Sequence, residues 1–239
     1  MPALPRALLL DLDDTILDDS SGVIDCWRVA CDAHADPLGG ITPQMLFDAV
    51  QSASVDYWSD PERHRIGRLD LPRARHEVVA RAFQALGADA SDVALRISTT
   101  YAAARHERMR PFDDAVDTVR WFRERGCRLA LLTNGAHEAQ RTKIERFELE
   151  GLFDVVLIEG ALGYGKPDPR VYRHALDALG VAATDTWMVG DNLEWDVGGP
   201  QKLGILGIWI DAKGQGVPAT SAVRPDRIIR SLAELRPRV

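Results

Sequence analysis

The sequence predicts an α/β protein in which a parallel β-sheet core is interrupted by an all-helical insert. From Arg110 onward, short apolar segments alternate with segments of helical periodicity, which is typical of βαβ units and of a parallel sheet covered on both faces. One further apolar segment, residues 7–10, precedes this region. Residues 16–109, which lie between the two, show only helical periodicity. The core is therefore predicted to comprise residues 1–15 and 110–239, and the insert residues 16–109.

The first predicted strand runs directly into a cluster of carboxylates. In the segment ALLLDLDDTILDD, four apolar residues beginning at Ala7 are followed by Asp11, Asp13 and Asp14. Like charges this close repel one another, so their proximity is unfavourable unless a cation or a reaction requires it. The cluster therefore marks a candidate functional site.

The insert is predicted to be helical along its length. Apolar side chains recur at helical spacing in Glu77–Leu86, and Gly87 ends this run. Weaker helical patterns cover Val23–Ala35 and Pro43–Tyr57. No segment of the insert has the alternating pattern of a strand.

The region after the insert is predicted to alternate between helices and strands. The predicted helices are Asp113–Arg125, Glu138–Leu149, Val171–Leu179 and Leu193–Leu203. The predicted strands are Cys127–Asn134, Phe153–Glu159, Thr186–Asp191 and Gly204–Ile210. A loop rich in glycine, proline and serine, Lys213–Pro225, precedes a last short strand and helix around Ile228–Leu235.

Composition narrows the classes of function. The chain has 239 residues, of which 46% are apolar and 27% charged, as in an ordinary globular protein. Its net charge of −7 argues against binding to a nucleic acid polymer or to an anionic membrane. Three cysteines without a C-x-x-C pair suit a reducing cytoplasm, and no apolar stretch approaches the ~20 residues of a membrane span. We expect a soluble cytoplasmic protein, monomeric or homodimeric.

Polar residues follow four of the predicted strands. In chain order they are Asp11 and Asp13, Thr133 and Asn134, Lys166, and Asp191 and Asp196. Ligands bind at the carboxyl ends of the strands in open parallel sheets, so we expect these side chains to meet there. Carboxylate oxygens suit Mg²⁺, whereas the lysine and the Thr133 and Asn134 groups suit a phosphate oxygen.

This set of groups can hydrolyse a phosphate ester in two steps. A carboxylate attacks phosphorus and forms an acyl phosphate, which water then hydrolyses. A second carboxyl group two residues further on protonates the departing alcohol and later activates the water. The lysine compensates the remaining negative charge.

Four segments, DLDDT, LLTNG, GKPDP and GDNLEWD, together resemble the four motifs of the haloacid dehalogenase superfamily of phosphohydrolases, in the same order. The resemblance implies a Rossmann-like core with an inserted helical cap that closes over the site and selects the substrate. The TNG form and the position of the insert are similar to the branch that contains N-acylneuraminate 9-phosphatases and pyrimidine 5′-nucleotidases.

The resemblance also implies roles for individual residues. Asp11 would be the nucleophile and Asp13 the general acid and base. Thr133 would bind the substrate phosphate, and Lys166 would hold the phosphoryl group and the nucleophile. Mg²⁺ would be bound by Asp11, by the backbone carbonyl of Asp13 and by Asp191, with Asp196 acting indirectly through water or Lys166. The expected substrate is a small-molecule phosphate ester.

Other functions remain open at this stage. Dehalogenases share the nucleophilic aspartate but do not need an acid two residues later, so Asp13 favours ester hydrolysis. A phosphomutase of the same superfamily would use the same catalytic residues. A receiver-like signalling protein also phosphorylates an aspartate near a threonine and a lysine, although the large insert speaks against it. The physiological substrate is not encoded in the motifs, because side chains of the insert would choose it.

Overall fold

The computed structural model describes residues 4–34, 40–89 and 91–237, which form two compact units. The first unit, called the α/β unit below, contains the described residues up to Asp18 and those from Arg110 onward. The second, called the helical unit, spans Asp19–Met109. In the described ranges, no helix combines the length and the apolar character needed to cross a membrane.

A six-stranded parallel sheet forms the centre of the α/β unit. Its strands are β1 (Ala7–Leu10), β4 (Arg128–Thr133), β5 (Val155–Ile158), β6 (Thr186–Gly190), β7 (Leu206–Ile210) and β8 (Arg227–Ile229). Their order across the sheet is β5-β4-β1-β6-β7-β8, and every neighbouring pair is parallel. The predicted α/β class with a Rossmann-like parallel core is therefore confirmed.

The position of β1 between β4 and β6 determines where the functional residues lie. From β1 the chain passes to β4 and β5 on one side and then crosses to β6 on the other side, and a parallel sheet has its ligand crevice at such a switch point. All four residues of β1 are buried, as its uniformly apolar sequence predicts. The carboxyl ends of β4, β1 and β6 consequently lie side by side.

Helices of the α/β unit connect these strands. They are α6 (Ala115–Glu124), α7 (His137–Arg146), α8 (Glu159–Leu162), α9 (Pro169–Leu179) and α10 (Gly199–Gln201). The start and the end of helix α9 are both explained by its sequence. At the start, the Asp168 side chain accepts a hydrogen bond from the Arg170 N–H, and Pro169 occupies the first turn. At the end, Gly180 terminates the helix in the left-handed conformation.

Two predicted helices differ from the observed ones. The predicted helix Leu193–Leu203 is wrong in type, because the segment forms a π-helical turn, Leu193–Gly198, followed by the short α10. Pro200 lacks the N–H that a regular helix would use there. The final helix is a 3₁₀ turn, Leu232–Leu235.

The helical unit contains five α-helices in its described residues and no strand. They are α1 (Val23–Asp32), α2 (Pro43–Ser59), α3 (Pro61–Gly67), α4 (Leu71–Ala85) and α5 (Ser91–Arg108). The all-helical insert is thus confirmed as part of the fold class. Helix α1 ends before the predicted Ala35, which lies outside the described residues.

The helical unit has its own apolar core. The rings of Trp27 on α1 and Tyr101 on α5 stack with centroids 3.6 Å apart. Around them lie buried aliphatic and aromatic residues of α1, α2, α4 and α5. Trp27, which is 3% exposed, therefore has a packing role in this core.

The first boundary between the two units along the chain lies between Asp18 and Asp19. The sequence pattern predicts this boundary after Thr15, whereas Leu17–Asp18 forms a short strand, β2, that pairs antiparallel with β3 (Arg110–Pro111). The Phe112 N–H also donates to the Ile16 carbonyl at 2.9 Å. These bonds attach residues 16–18 to the α/β unit.

Candidate active site

A polar pocket of about 180 Å³ lies at the carboxyl edge of the sheet, within the α/β unit. Its lining residues come from the ends of β1, β4 and β6: Asp11, Asp13, Asp14, Thr133, Asn134, Asp191, Asn192, Trp195 and Asp196. Six of the seven residues that the sequence singled out line this pocket. The seventh, Lys166, contacts two of them from below the surface.

Lys166 forms a buried triad with Asp11 and Asp196. Its Nζ lies 2.5 Å from Asp11 Oδ1 and 2.7 Å from Asp196 Oδ1. The side chains of Lys166 and Asp196 are each 1% exposed, and that of Asp11 is 10% exposed. The ammonium group thus compensates two carboxylates that would otherwise be buried as unpaired charges.

The electrostatics of the buried triad favour a protonated lysine. Burial alone would lower the pKa of Lys166, but Asp11 and Asp196 raise it well above its ordinary value. Burial raises the pKa of Asp11 to about 6, with Lys166 opposing the rise and Asp196 adding to it. Asp11 therefore depends on nearby positive charge to remain an anion.

Asn134 holds the backbone of Lys166 in place. Its Oδ1 accepts from the Lys166 N–H at 2.8 Å, and its Nδ2 donates to the Lys166 carbonyl at 2.7 Å. A side chain at Gly165 would not fit, because its Cβ would lie 2.5 Å from Asn134 Oδ1. The amide that we expected to bind phosphate is thus engaged in positioning Lys166.

The turn after β4 is supported by the segment after β5. Glu159, which is buried, accepts from the Gly135 N–H at 3.0 Å, and the Gly160 N–H donates to the Gly135 carbonyl at 3.0 Å. A Cβ at position 160 would lie 2.5 Å from the backbone nitrogen of His137, so only glycine allows the two segments to approach this closely. Our sequence reasoning missed the roles of Glu159, the last residue of a predicted buried strand, and of Gly160, which follows it.

Asp13 contacts two polar side chains of α7, Gln140 and Lys143, which we call the α7 pair. Lys143 Nζ lies 2.7 Å from Asp13 Oδ1 and 2.8 Å from Oδ2. Gln140 Nε2 donates to Asp13 Oδ2 at 2.9 Å and also to Thr133 Oγ1. Sequence reasoning missed both residues, although their spacing of three places them on one face of the helix that follows the LLTNG segment.

The carboxylates of this pocket fit a divalent cation. Oxygens of Asp11, Asp191 and Asp196 lie within 4.8 Å of one another, and such hard oxygen donors are the ligands that Mg²⁺ prefers. The pKa of Asp191 is raised to about 8 by desolvation of its carboxyl group at the pocket and by the nearby Asp11 and Asp196 carboxylates. A cation among them would remove this repulsion.

Three hydrogen bonds hold the segment from Asp191 to Asp196 in place. Trp209 Nε1 donates to the Asp191 carbonyl at 2.7 Å. Asp196 uses Oδ1 for Lys166 and accepts from the Asn192 N–H through Oδ2 at 3.0 Å. Because both oxygens of Asp196 are engaged within the protein, this carboxylate is better suited to support a metal ligand than to be one.

Comparison with known families assigns the chain to a class. The sequence model of the haloacid dehalogenase-like hydrolases matches residues 5–204, which span β1 to the segment before β7. The chain belongs to this family. The predicted resemblance is therefore confirmed, and membership in a hydrolase family speaks against the receiver-like alternative.

Relatives with assigned names include phosphatases. The chain is 31% identical to a phosphoserine phosphatase of Thermus thermophilus, over 96% of this chain and 97% of that protein. It is 41% identical to the N-acylneuraminate-9-phosphatase of Rattus norvegicus, over 45% of this chain and 44% of that protein. The predicted enzyme class, a phosphoric monoester hydrolase of the haloacid dehalogenase-like family, is confirmed by the family match and these relatives.

A solved structure of a different activity is also similar. A dehalogenase crystal structure aligns with a TM-score of 0.64 and 25% identity, over 98% of this chain and 96% of that one. The fold alone therefore accommodates both chemistries. The residues at the carboxyl edge of the sheet have to distinguish them.

Proposed function

We propose that this hydrolase is a Mg²⁺-dependent phosphatase that cleaves a small phosphomonoester through an aspartyl-phosphate on Asp11. The observation that carries the proposal is the presence of two carboxyl groups with different surroundings at the end of β1. Asp11 is buried against Lys166, whereas Asp13 faces the α7 pair beside Thr133. One carboxylate is suited to attack phosphorus and the other to transfer a proton.

The residues of the chain would act in two steps. An Asp11 oxygen attacks phosphorus while the bond from phosphorus to the ester oxygen breaks, and Asp13 delivers its proton to that oxygen to give the alcohol. Water then attacks phosphorus and loses a proton to Asp13, which releases inorganic phosphate and restores Asp11. Because each step starts where the other ends, Asp13 returns to its original protonation state.

The surrounding groups would bind and orient the phosphoryl group. The Thr133 hydroxyl would contact a phosphate oxygen, and Lys166 would compensate charge on Asp11 and on the phosphoryl group. Asn134 would contribute through the placement of Lys166, with its backbone N–H as its own group for a phosphate contact. Asp196 would keep Lys166 protonated and aligned.

Mg²⁺ would be held by Asp11, the backbone carbonyl of Asp13 and Asp191, with Asp196 supporting the site indirectly. When bound, this ion would neutralise the charge between the nucleophile and the phosphate oxygens. The proximity of three carboxylates in the pocket supports this assignment.

The helical unit is the proposed cap that selects the substrate. It is inserted between β2 and β3, directly after the Asp11 segment, and it has a core of its own. The named relatives act on phosphoserine and on N-acylneuraminate 9-phosphate. A small phosphomonoester of comparable polarity is therefore the proposed substrate class.

Dehalogenation is a competing activity of the family, and Asp13 favours ester hydrolysis over it. Displacement of a halide releases an anion that needs no proton, so a second acid has no role in that chemistry. An enzyme that expels an alcohol does need this proton. The α7 pair, which contacts Asp13 directly, supports the same choice.

The experiment is an assay of inorganic phosphate release from a panel of sugar phosphates, nucleotides, phosphoserine, N-acylneuraminate 9-phosphate and p-nitrophenyl phosphate, with a parallel chloride-release assay on 2-chloroalkanoates. Wild type is compared with Asp11→Asn, each with Mg²⁺ and with EDTA. We expect phosphate release that requires both Asp11 and Mg²⁺, and no chloride release. Chloride release without phosphate release would overturn the proposal, and transfer of phosphate to a sugar instead of water would identify a mutase.

A further inference from the structure

Asp13 is held by two long side chains, Gln140 and Lys143, which lie outside the four motif segments quoted above. Lys143 reaches both oxygens of its carboxylate, at 2.7 and 2.8 Å, so that the contact restricts rotation of the carboxylate plane. Gln140 contacts Oδ2 at 2.9 Å. A carboxyl group that is hydrogen-bonded at both oxygens has a defined orientation, and proton transfer requires such an orientation.

Gln140 also links Asp13 to Thr133. The Gln140 amide, which is 2% exposed, donates both to Asp13 Oδ2 and to Thr133 Oγ1. A buried amide is costly unless its hydrogen bonds are made, and here they are made to two residues of the proposed reaction centre. Gln140 thus holds Thr133, the proposed phosphate ligand, close to Asp13, the proposed proton donor.

Packing of α7 does not by itself explain why these residues are polar. Ile144, on the same helix, is fully buried and supplies apolar contact with the core. Arg141 forms an ion pair with Glu150 at 2.7 Å on a more exposed part of the helix. Lys143, by contrast, directs its ammonium group to Asp13, with 15% of its side chain exposed.

The site therefore contains two lysines with separate carboxylate partners. Lys166 contacts Asp11 and Asp196, while Lys143 contacts Asp13. This division suggests that the nucleophile and the proton-transfer group are each positioned by a cation of their own.

We propose that Lys143 and Gln140 are positioning residues that hold the Asp13 carboxyl group in the orientation used for proton transfer. The inference rests on the proposed phosphatase function. In the first step, Asp13 gives a proton to the ester oxygen as its bond to phosphorus breaks and the bond to Asp11 forms. In the second step it takes a proton from the attacking water. The α7 pair exchanges no proton and forms no bond to phosphorus.

The test compares two substrates, because the leaving group of one needs a proton as it departs and that of the other does not. p-Nitrophenolate leaves readily as an anion, whereas an aliphatic alkoxide must be protonated as it leaves. Single-turnover rates of Asp11 phosphorylation are therefore measured with p-nitrophenyl phosphate and with glycerol 1-phosphate or phosphoserine, whichever wild type cleaves faster. The variants are Lys143→Met and Lys143→Arg, with Asp13→Asn as the reference for a lost acid.

We expect Lys143→Met to slow phosphorylation by the aliphatic ester by about tenfold to a hundredfold, because a misplaced acid forfeits part of the roughly 10²- to 10⁴-fold that acid catalysis contributes. The first burst of p-nitrophenolate should change by less than about twofold, since that leaving group needs no acid. KM should stay near the wild-type value for both esters. Lys143→Arg, which keeps the cation, should recover most of the loss.

Arg141→Met is the matched control, because it removes a cation from the same helix without touching Asp13. It should leave both rates at the wild-type level. An equal loss on both esters in Lys143→Met, or a raised KM for both, would overturn the proposal in favour of a substrate contact or a folding role. An unchanged rate on both esters would also overturn it.

The proposed function and the positioning role of Lys143 can be tested separately. If wild type forms no phosphoenzyme on Asp11 with either ester, the proposed function fails. If wild type forms it and Lys143→Met keeps the wild-type ratio between the two esters, the function stands and the positioning role fails.

Discussion

The two lysine contacts of the site, at the buried triad and at the α7 pair, solve different physical problems. Lys166 is 1% exposed and compensates Asp11 and Asp196 where water cannot. Lys143 and Asp13 are 15% and 27% exposed, so water shares in the solvation of both groups. From this difference we expect substitutions in the buried triad to affect folding and chemistry together, and substitutions of Lys143 to affect folding much less.

The largest effect should come from Lys166→Met. Removal of the ammonium group leaves two carboxylates buried without their cation, and breaking a buried pair in this way costs about 3–5 kcal/mol. We expect a loss of this size in the free energy of unfolding, measured in urea, and no detectable turnover. Lys202→Met, at an exposed lysine, is the control. A Lys166→Met protein as stable as wild type would contradict the role assigned to the buried triad.

Asp196→Asn should have the next largest effect. The substitution keeps the size of the side chain but removes one of the two negative charges that face Lys166. Groups that orient metal ligands typically contribute 10- to 100-fold, so we expect kcat to fall by about that factor. The unfolding free energy should fall less than in Lys166→Met, because Lys166 keeps Asp11. Steady-state kinetics at saturating Mg²⁺ would check this, and wild-type kcat would argue against a supporting role.

Asn134→Ala tests whether the backbone of Lys166 needs its clamp. Two hydrogen bonds to the Lys166 peptide are lost, which leaves buried groups unsatisfied at about 1–3 kcal/mol. We expect kcat to fall by up to about a hundredfold through misplacement of Lys166. Asn134→Asp keeps the acceptor but places a carboxylate oxygen against the Lys166 carbonyl where the amide donated, so its unfolding free energy should be no higher than that of Asn134→Ala. An Asn134→Asp protein as stable as wild type would show that the donor carries no weight.

The smallest change in stability should follow Lys143→Met. Ion pairs that water reaches are worth about 1 kcal/mol or less, so the unfolding free energy should change by no more than that. A loss as large as that of Lys166→Met would remove the distinction between the buried triad and the α7 pair. The measurement is the same urea titration, run on both variants side by side.

The main features of the α/β unit could be predicted from the sequence because its strands are short, apolar and followed by polar residues. Leu8 to Leu10 form a uniformly buried strand, and a parallel sheet brings its carboxyl end beside that of β4. Lys166 lies 155 residues from Asp11 along the chain, yet the motif order predicts their meeting. The buried triad thus follows from topology and residue type together.

Other contacts depend on side-chain direction, which a motif does not specify. The side-chain amide of Asn134 could bind a phosphate oxygen, but it is hydrogen-bonded to the Lys166 backbone instead. Its Nδ2 reaches the Lys166 carbonyl and its Oδ1 reaches the Lys166 N–H. The α7 pair depends on the rotation of α7 about its axis. A polar face at positions i and i+3 after the LLTNG segment was its only signal in the sequence.

The helical unit illustrates the opposite case. Its helices are predictable from periodicity, and the caps Thr42, Asp60 and Asp70 mark their starts. The substrate selection that we propose for this unit is not predictable, because it would depend on side chains whose pattern resembles any solvated helix face. The substrate panel therefore has to supply this information.

The most direct test of the account is to locate the phosphoryl group in a trapped intermediate. Wild-type protein is mixed with Mg²⁺ and its best substrate, quenched in acid within the first turnover, and digested for peptide mass spectrometry. The account predicts phosphate on the peptide that contains Asp11, and none in Asp11→Asn. Turnover without a phosphorylated peptide, or with phosphate on another residue, would contradict it.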